Sequence, residues 1–395
     1  MTIELNMMLT MAVGIFALLL GRLLNNSFGF LRKICIPSPV SGGIAFSLLT
    51  LCLYSMFGLE IKFDGTLKDI CMTVFFTSVG LQSDLKVLKK GGRPLLMMVI
   101  LVAVLIICQN LIGVGIARGI GVNPLIGMSA GSITMCGGHG TAAGFSQMLE
   151  SMGLLSAANV TMAAATFGLL CGSLLGGPLA ESIIRKRSLA ADFHACASSS
   201  VKPLSSVNLT ASGYARGIYE IFIAAGIGSL LSRLIALTGL TCPSYFGALI
   251  VAVIIRNLGE AIPHIPHTPV SEIGSISEVS LSLFLGMAMV SLRLWELSGL
   301  ALPLLLILTA QVLFLVVFAR FAAFPLLGRD YDAAVLVSGL CGFGLGATPN
   351  AMANMSAVCS KYRYASAPFF LVPIVGAMFV DIINIVVSTI FLNIL

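Results

Sequence analysis

Two glycine-rich stretches, Gly137-Gly138-His139-Gly140-Thr141 and Gly342-Phe343-Gly344-Leu345-Gly346, and one acid, Asp381, could carry chemistry in this chain. Each glycine in a helix interior costs about 1 kcal/mol relative to alanine, so helices continue poorly there. The same glycines let main-chain N–H and C=O groups come close to a ligand. Ser132 and Thr134 before the first stretch, and Thr348, Pro349, Asn350 and Asn354 after the second, supply hydroxyls and amides. Helices broken at such points aim partly positive N-terminal ends at a carboxylate and free carbonyls at a cation. The candidate substrate-binding set is Ser132, Thr134, Gly137, Gly138, His139, Gly140, Thr141, Gly344, Gly346, Ala347, Thr348, Asn350 and Asp381. The candidate cation-binding set is Gly342, Asn354, Asp381 and Asn384.

Asp381 stands in the middle of the apolar run VPIVGAMFVDIINIVV, with no basic residue within a helical turn. An unpaired carboxylate at the bilayer centre costs at least about 2.5 kcal/mol, so by default it marks an ion or substrate path. The alternative is a protonated acid that is bonded between helices and only fixes packing. Asn384 shares its helical face, and Pro373 and Gly376 open the helix just before it. Close packing of membrane helices explains either glycine stretch taken alone. It does not explain why both fall in the same segment of each half.

Other chemistry is poorly served. His139 either titrates or acts as a fixed hydrogen-bond donor. No Lys-Ser/Thr follows the glycines, so there is no phosphate-binding loop. His264 and His267 are split by Pro266, which prevents a metal-binding helix turn. No HExxH, GxSxG or Cys-His-Asp grouping is present, nor an aspartate pair for intramembrane proteolysis. The chain is read as not an enzyme, with no catalytic residue, no metal centre and no cofactor.

The elements that must position these residues lie in lipid. Of 395 residues, 58% are hydrophobic and 10% are charged, against roughly 25% charged in a soluble domain. Mean hydropathy is +1.04. So little charge cannot cover a water-facing surface, which excludes a soluble enzyme or nucleic-acid module. The ten cysteines form no CxxC pair and are read as free thiols. The first apolar run has no basic residue before Arg22 and is read as a retained span rather than a cleaved signal.

Apolar segments fall at about 5–22, 36–58, 70–85, 94–117, 124–149 and 154–184, then 216–237, 243–257, 276–294, 299–324, 331–357 and 366–394. A polar linker opening on Arg185-Lys186-Arg187 separates the two sets. Phe75 to Pro94 and Phe284 to Pro303 span the same interval, Pro37-Ser38 answers to Pro243-Ser244, and each fifth segment is glycine-rich. These matches point to an internal duplication of the secondary-transporter kind.

Charge selects the topology. With an external N-terminus, five crossings per half and a fifth segment that dips in and returns, seventeen of the 22 basic residues face the cytoplasm. Lys62, Lys68, Arg118, Arg233 and Arg293 remain outside. Twelve crossings would put Arg185-Lys186-Arg187 outside, against the positive-inside rule. The expected fold is therefore an all-α polytopic membrane protein of two inverted-topology repeats. Each repeat has five transmembrane helices and one re-entrant, broken glycine-rich hairpin. The expected parts are 1–184 (re-entrant 124–149), a cytoplasmic linker 185–215, and 216–395 (re-entrant 331–357), with both termini external. Arg216 and Glu220 are expected to pair at the membrane edge, and Trp295 and Tyr54 to lie at interfaces.

At GSITMCGGHGT (131–141), GFGLGATPNAMANM (342–355) and VPIVGAMFVDIIN (372–384), the chain resembles the bacterial sodium/glutamate symporter family. The likeness extends to GRLL at 21, IPSPVSGG at 36, ATFGLLCGSLLGGP at 165 and SLSLFLGMAM at 280, and so covers nearly all but the linker. The resemblance implies a bacterial inner-membrane protein taking up L-glutamate with Na+ as coupling ion, and a homodimer in which a scaffold holds a moving transport part. Family residues fall on Ser132, Thr134, Gly137 to Thr141, Gly344 to Thr348 and Asp381. Cys136 and Asn350 stand where a familiar member has Ser and Thr, which bears on substrate preference. Carriage of aspartate, a dicarboxylate or a citrate-like anion, with Na+ or H+, is the alternative, and an anion channel is a further one.

Overall fold

The computed structural model describes residues 2–29, 37–84, 92–189, 209–238, 243–259, 268–293 and 300–395. Cys35, Cys196, Cys242, Trp295, residues 263–267, Arg32, Lys33, Lys86, Lys89, Lys90, Lys202 and linker positions 190–208 lie outside the described residues. The helices are α1 (Met7–Ser27), α2 (Ser38–Phe57), α3 (Thr66–Gln82), α4 (Gly92–Gly119), α5 (Pro124–Ser129), α6 (Ser132–Met135), α7 (Gly138–Ser151) and α8 (Ala157–Lys186). After the linker come α9 (Ala211–Leu237), α10 (Phe246–Gly259), α11 (Val270–Val290), α12 (Ala301–Leu326), α13 (Tyr331–Gly344), α14 (Thr348–Lys361) and α15 (Ser366–Ile394). Among the described residues, eight of these (α1, α2, α4, α8, α9, α11, α12 and α15) are long and apolar enough to cross a membrane. The chain is thus an all-α polytopic membrane protein.

One element departs from the sequence reading. Thr2–Leu5 and Glu60–Phe63 form two short strands, β1 and β2, in parallel register from Thr2 opposite Glu60 to Leu5 opposite Phe63. Both alternate polar and apolar residues, the period-two pattern of a strand. Because the strands run in parallel, α1 and α3, which follow them, start from the same end of the pair.

The helices gather into two compact units, each drawing on both halves of the sequence. The first comprises Met1–Leu85, Ala143–Met162 and Asn208–Ala301. Here glycine sets the helix spacing. A Cβ on Gly21 of α1 would overlap the Ser38 carbonyl of α2, and one on Gly247 of α10 would overlap the Gly228 carbonyl of α9. In lipid, where burial of apolar surface gives helices little drive to associate, such close backbone approach supplies the dispersion contact that holds them together. Phe76 of α3 stacks on Tyr245 beside α10, with centroids 3.8 Å apart and planes 9° from parallel. Arg216 and Glu220 pair at 2.9 Å along α9, as expected from their spacing. Tyr54 is exposed near the end of α2. The described cysteines, 52, 71, 108, 136, 171, 341 and 359, are all free.

The second unit comprises Lys86–Ala142, Ala163–Val207 and Leu302–Leu395 and holds every candidate site residue. α4 buries Leu95, Met98, Leu101, Val102, Leu105, Ile106, Gln109, Asn110, Gly113, Val114 and Ala117, an apolar stripe of helical period interrupted by two amides. Gln311 of α12 is fully buried and donates to the Gln109 carbonyl at 2.7 Å. α12 and α15 each contain a π-helical turn, at Ala319–Ala323 and Val375–Val380.

Candidate functional site

In the second unit both glycine-rich segments are broken, over short stretches. α6 ends at Met135, Cys136 and Gly137 form the gap, and α7 starts at Gly138 with a left-handed φ of +58°. α13 runs through Gly342 to Gly344, Leu345 to Ala347 form the gap, and α14 starts at Thr348. The sequence reading weakened helix across the whole glycine runs, whereas the structure keeps Gly138 to Gly140 in α7 and Gly342 in α13. At Gly342 the reason is packing, because a Cβ there would overlap the main chain of Ala351 and force α13 and α14 apart. The second break is enforced instead by Pro349. It suits the first turn of α14, but its ring would clash with the carbonyl four residues back in a continuous helix. Ala347 offers no side-chain cap to the first N–H groups of α14.

The two gaps touch. A Cβ on Gly138 would stand 2.7 Å from the Gly346 carbonyl oxygen, so the segments meet main chain to main chain. Gly137 lies equally close to α15, where a Cβ would come 2.5 Å from Asn384 Nδ2. Thr348 faces the π turn of α15, since a Cβ on Gly376 would stand 2.5 Å from its hydroxyl. Pro373 and Gly376 therefore do perturb the helix ahead of Asp381, and the perturbation is a π turn, a feature common at functional sites.

A closed polar ring supports the first gap. The Ser132 N–H and hydroxyl both donate to Asn110 Oδ1 at 2.9 Å. Asn384 Nδ2 donates to the Ser132 carbonyl at 3.0 Å, and the Ser388 hydroxyl donates to Asn384 Oδ1 at 3.3 Å. The Ser132 and Ser388 hydroxyls are themselves 3.3 Å apart. All four residues are fully buried. A second set bridges the gaps, with Gln109 Nε2 donating to the Gly344 carbonyl at 2.9 Å and the Cys136 thiol donating to Gln109 Oε1 at 3.1 Å. Asp381 stands three residues before Asn384, on the same face of α15. Asp381 is partly exposed and, among the described residues, has no hydrogen-bond or ion-pair partner.

Other candidates are engaged elsewhere. The Thr134 hydroxyl donates to the Ser129 carbonyl at 2.8 Å, and His139 Nε2 lies 3.0 Å from the Thr166 hydroxyl, the fixed-partner alternative for this histidine. Asn350 and Asn354 donate their amide N–H groups to the Leu169 and Gly172 carbonyls of α8, at 3.0 and 2.8 Å. Thr141 Oγ1, Asn350 Oδ1 and Asn110 Nδ2 are buried with no hydrogen-bond partner. Such atoms call for a ligand, ion or water. Among the described residues no three His, Cys, Asp or Glu gather as for a metal ion.

The sequence reading passed over Gln109, Asn110, Gln311 and Ser388. The available signal was Gln109-Asn110, two adjacent amides inside the apolar run 94–117. In Asn110→Ala, the Ser132 N–H loses its acceptor at full burial, while its hydroxyl keeps Ser388 at 3.3 Å. An unsatisfied buried donor costs about 1–3 kcal/mol. The variant is therefore expected to unfold several degrees earlier in detergent, and an unchanged midpoint would show that Ser132 does not depend on Asn110.

Long apolar helices, two mid-sequence helix breaks that meet, and a lone acid beside them define a polytopic membrane protein of the secondary-transporter class. The sodium/glutamate symporter family model matches residues 3–364. The chain is 40% identical over 393 residues to the sodium/glutamate symporter of Escherichia coli K12, covering 98% of each. It is likewise 40% identical to that of Shigella flexneri over 98% of each chain. It is 38% identical to that of Haemophilus influenzae over 383 residues, 95% of this chain and 94% of the relative. The chain belongs to the sodium/glutamate symporter family.

Proposed function

We propose that the chain is a secondary active transporter that carries L-glutamate into the cell with Na+ by alternating access. Ten spans cross the membrane, the eight long helices together with α3 and α10. The segments 124–149 and 331–357 dip in from opposite faces, the first from outside and the second from the cytoplasm. The halves 1–184 and 216–395 are inverted repeats joined by a cytoplasmic linker, 185–215, with both termini external. The order four helices, broken segment, long helix recurs in each half and supports this reading. So does the matching glycine contact of α1 with α2 and of α9 with α10. The protein works in the bacterial inner membrane as a homodimer. The unit holding the glycine segments moves within each subunit.

The observation that carries the proposal is the main-chain contact of Gly138 with Gly346, in the same compact unit as Asp381. Glutamate binds at these tips. Its carboxylates take N–H groups at the starts of α7 and α14 and the hydroxyls of Thr141 and Thr348, because the hydroxyls of Ser132 and Thr134 are already donating within the protein. Asp381 faces the ammonium group. Na+ takes oxygens from broken-helix carbonyls near Gly342 and from Asp381, Asn354, Asn384 and the unpartnered Asn350 Oδ1. A cation in a low-dielectric site favours the anionic substrate beside it, so each ligand raises the affinity for the other.

Proteoliposomes containing the full chain should accumulate labelled glutamate under an inward Na+ gradient and not under a K+ gradient, with aspartate and citrate competing weakly. Gradient-independent flux would favour a channel, and stronger competition by citrate another substrate. In the same vesicles, a membrane-impermeant thiol reagent should reach a cysteine placed at Ser151 from outside and one placed at Lys361 from the cytoplasm. Labelling of both from one face would remove the inverted arrangement.

A further inference from the structure

At the far end of α8 and α12, away from the glycine tips in sequence, the second unit holds a cavity of about 250 Å³ that the transport reading does not use. Lys186 and Arg187 from the end of α8 and Arg320 and Arg329 from the end of α12 line it, together with Phe321 and Phe324. None of the four cations has a carboxylate partner among the described residues. The nearby acid on α8, Glu181, is taken by Arg185 at 2.7 Å and by Lys361 at 2.9 Å. Arg320 lies in the π turn of α12 and donates from Nη1 to the Ser182 hydroxyl at 3.3 Å, which ties it to α8.

Helix C-termini attract one or two basic residues through the dipole, and positive charge on the cytoplasmic side of spans is the rule. Neither effect requires four unpaired cations from two helices to converge on one cavity. Phe324 is buried beneath it. Phe321 is 70% exposed on a membrane-spanning helix, with the Arg320 guanidinium 6.0 Å from its ring centre. The cavity therefore joins a cluster of cations to an exposed apolar side chain on a membrane-spanning helix, and basic pockets between spans on the cytoplasmic side hold anionic headgroups.

We propose that this cavity is a binding site for the phosphodiester headgroup of an anionic phospholipid, with Arg320 and Arg329 contacting the phosphate and Phe321 lying along an acyl chain. On the topology proposed above the lipid comes from the cytoplasmic leaflet, though the binding measurement does not depend on that.

The test is native mass spectrometry of the full chain in detergent, titrated with phosphatidylglycerol or phosphatidylcholine. The wild type should retain phosphatidylglycerol in preference. The double variant R320Q/R329Q should bind it roughly 30-fold more weakly, two cations each worth about 1 kcal/mol at 1.4 kcal/mol per tenfold. R185Q, which removes a paired charge from the same helix end, should leave binding within about twofold. R320K/R329K, which keeps the charge, should retain the preference and decides the matter if the glutamine variant does not fold. Equal retention of the two lipids by the wild type overturns the site, as does equal loss in R185Q. Displacement of bound phosphatidylglycerol by excess inorganic phosphate overturns the lipid assignment in favour of a free anion.

Discussion

Asp381→Asn is expected to abolish Na+-driven glutamate uptake in proteoliposomes while leaving the protein folded. The carboxylate stands just after the π turn of α15, partly exposed, with no hydrogen-bond or ion-pair partner among the described residues. If it faces the ammonium of glutamate or a Na+ ion, removing it leaves that charge unpaired in a poorly solvated site. Removing one partner of a buried pair costs about 3–5 kcal/mol, which at 1.4 kcal/mol per tenfold is a loss of more than about 100-fold. Stability should move the other way or not at all, since asparagine removes an uncompensated charge and breaks no internal bond. Uptake at the wild-type rate would take Asp381 out of the site, and lost uptake with a collapsed thermal midpoint would make it a packing residue.

Gly138→Ala is the second expected large loss, and it acts on the backbone. The residue holds φ at +58°, a conformation that costs an L-residue about 1–2 kcal/mol. Its new Cβ would also stand 2.7 Å from the Gly346 carbonyl oxygen, a main-chain atom that cannot swing aside as a side chain would. The two segments must then separate, and uptake is expected to fall by at least about tenfold. Gly115→Ala on α4, where a Cβ would meet nothing within 4 Å, is the comparison and should transport normally. Equal activity of both variants, measured as initial uptake per folded protein, would show that the contact of the tips is not used in the cycle.

Much of this arrangement was legible in the residues. The apolar runs gave the long helices, because a chain with 10% charge has lipid as its only workable solvent. Pro373 and Gly376 foretold a disturbed helix ahead of Asp381, although a π turn rather than an open gap could not be inferred from two residues. Spacing alone also placed the Arg216–Glu220 pair. The glycine runs were read too broadly. A glycine that breaks a helix and one that lets two helices touch look the same in sequence, and Gly342 proves to be of the second kind. Gln109, Asn110 and Ser388 were missed because their importance comes from what they meet. Ser388 closes a ring with Asn384 and Ser132, and Asn110 accepts from Ser132 beside it, from chain positions more than 270 residues apart.

By itself the sequence determined that the chain lives in lipid, where its helices run, which segments are weakened, and that a single acid lies within the last span. Local composition fixes these features, because a peptide group in hydrocarbon must find its hydrogen bond within its own helix unless glycine or proline prevents it. The tertiary structure alone decided which weak points meet, that Gly138 lies against Gly346, that Ser132 and Thr134 donate inward, and that the cations of α8 and α12 converge. Each of these is a contact between residues distant in the chain, set by how closely backbones can approach, and no local pattern encodes that distance.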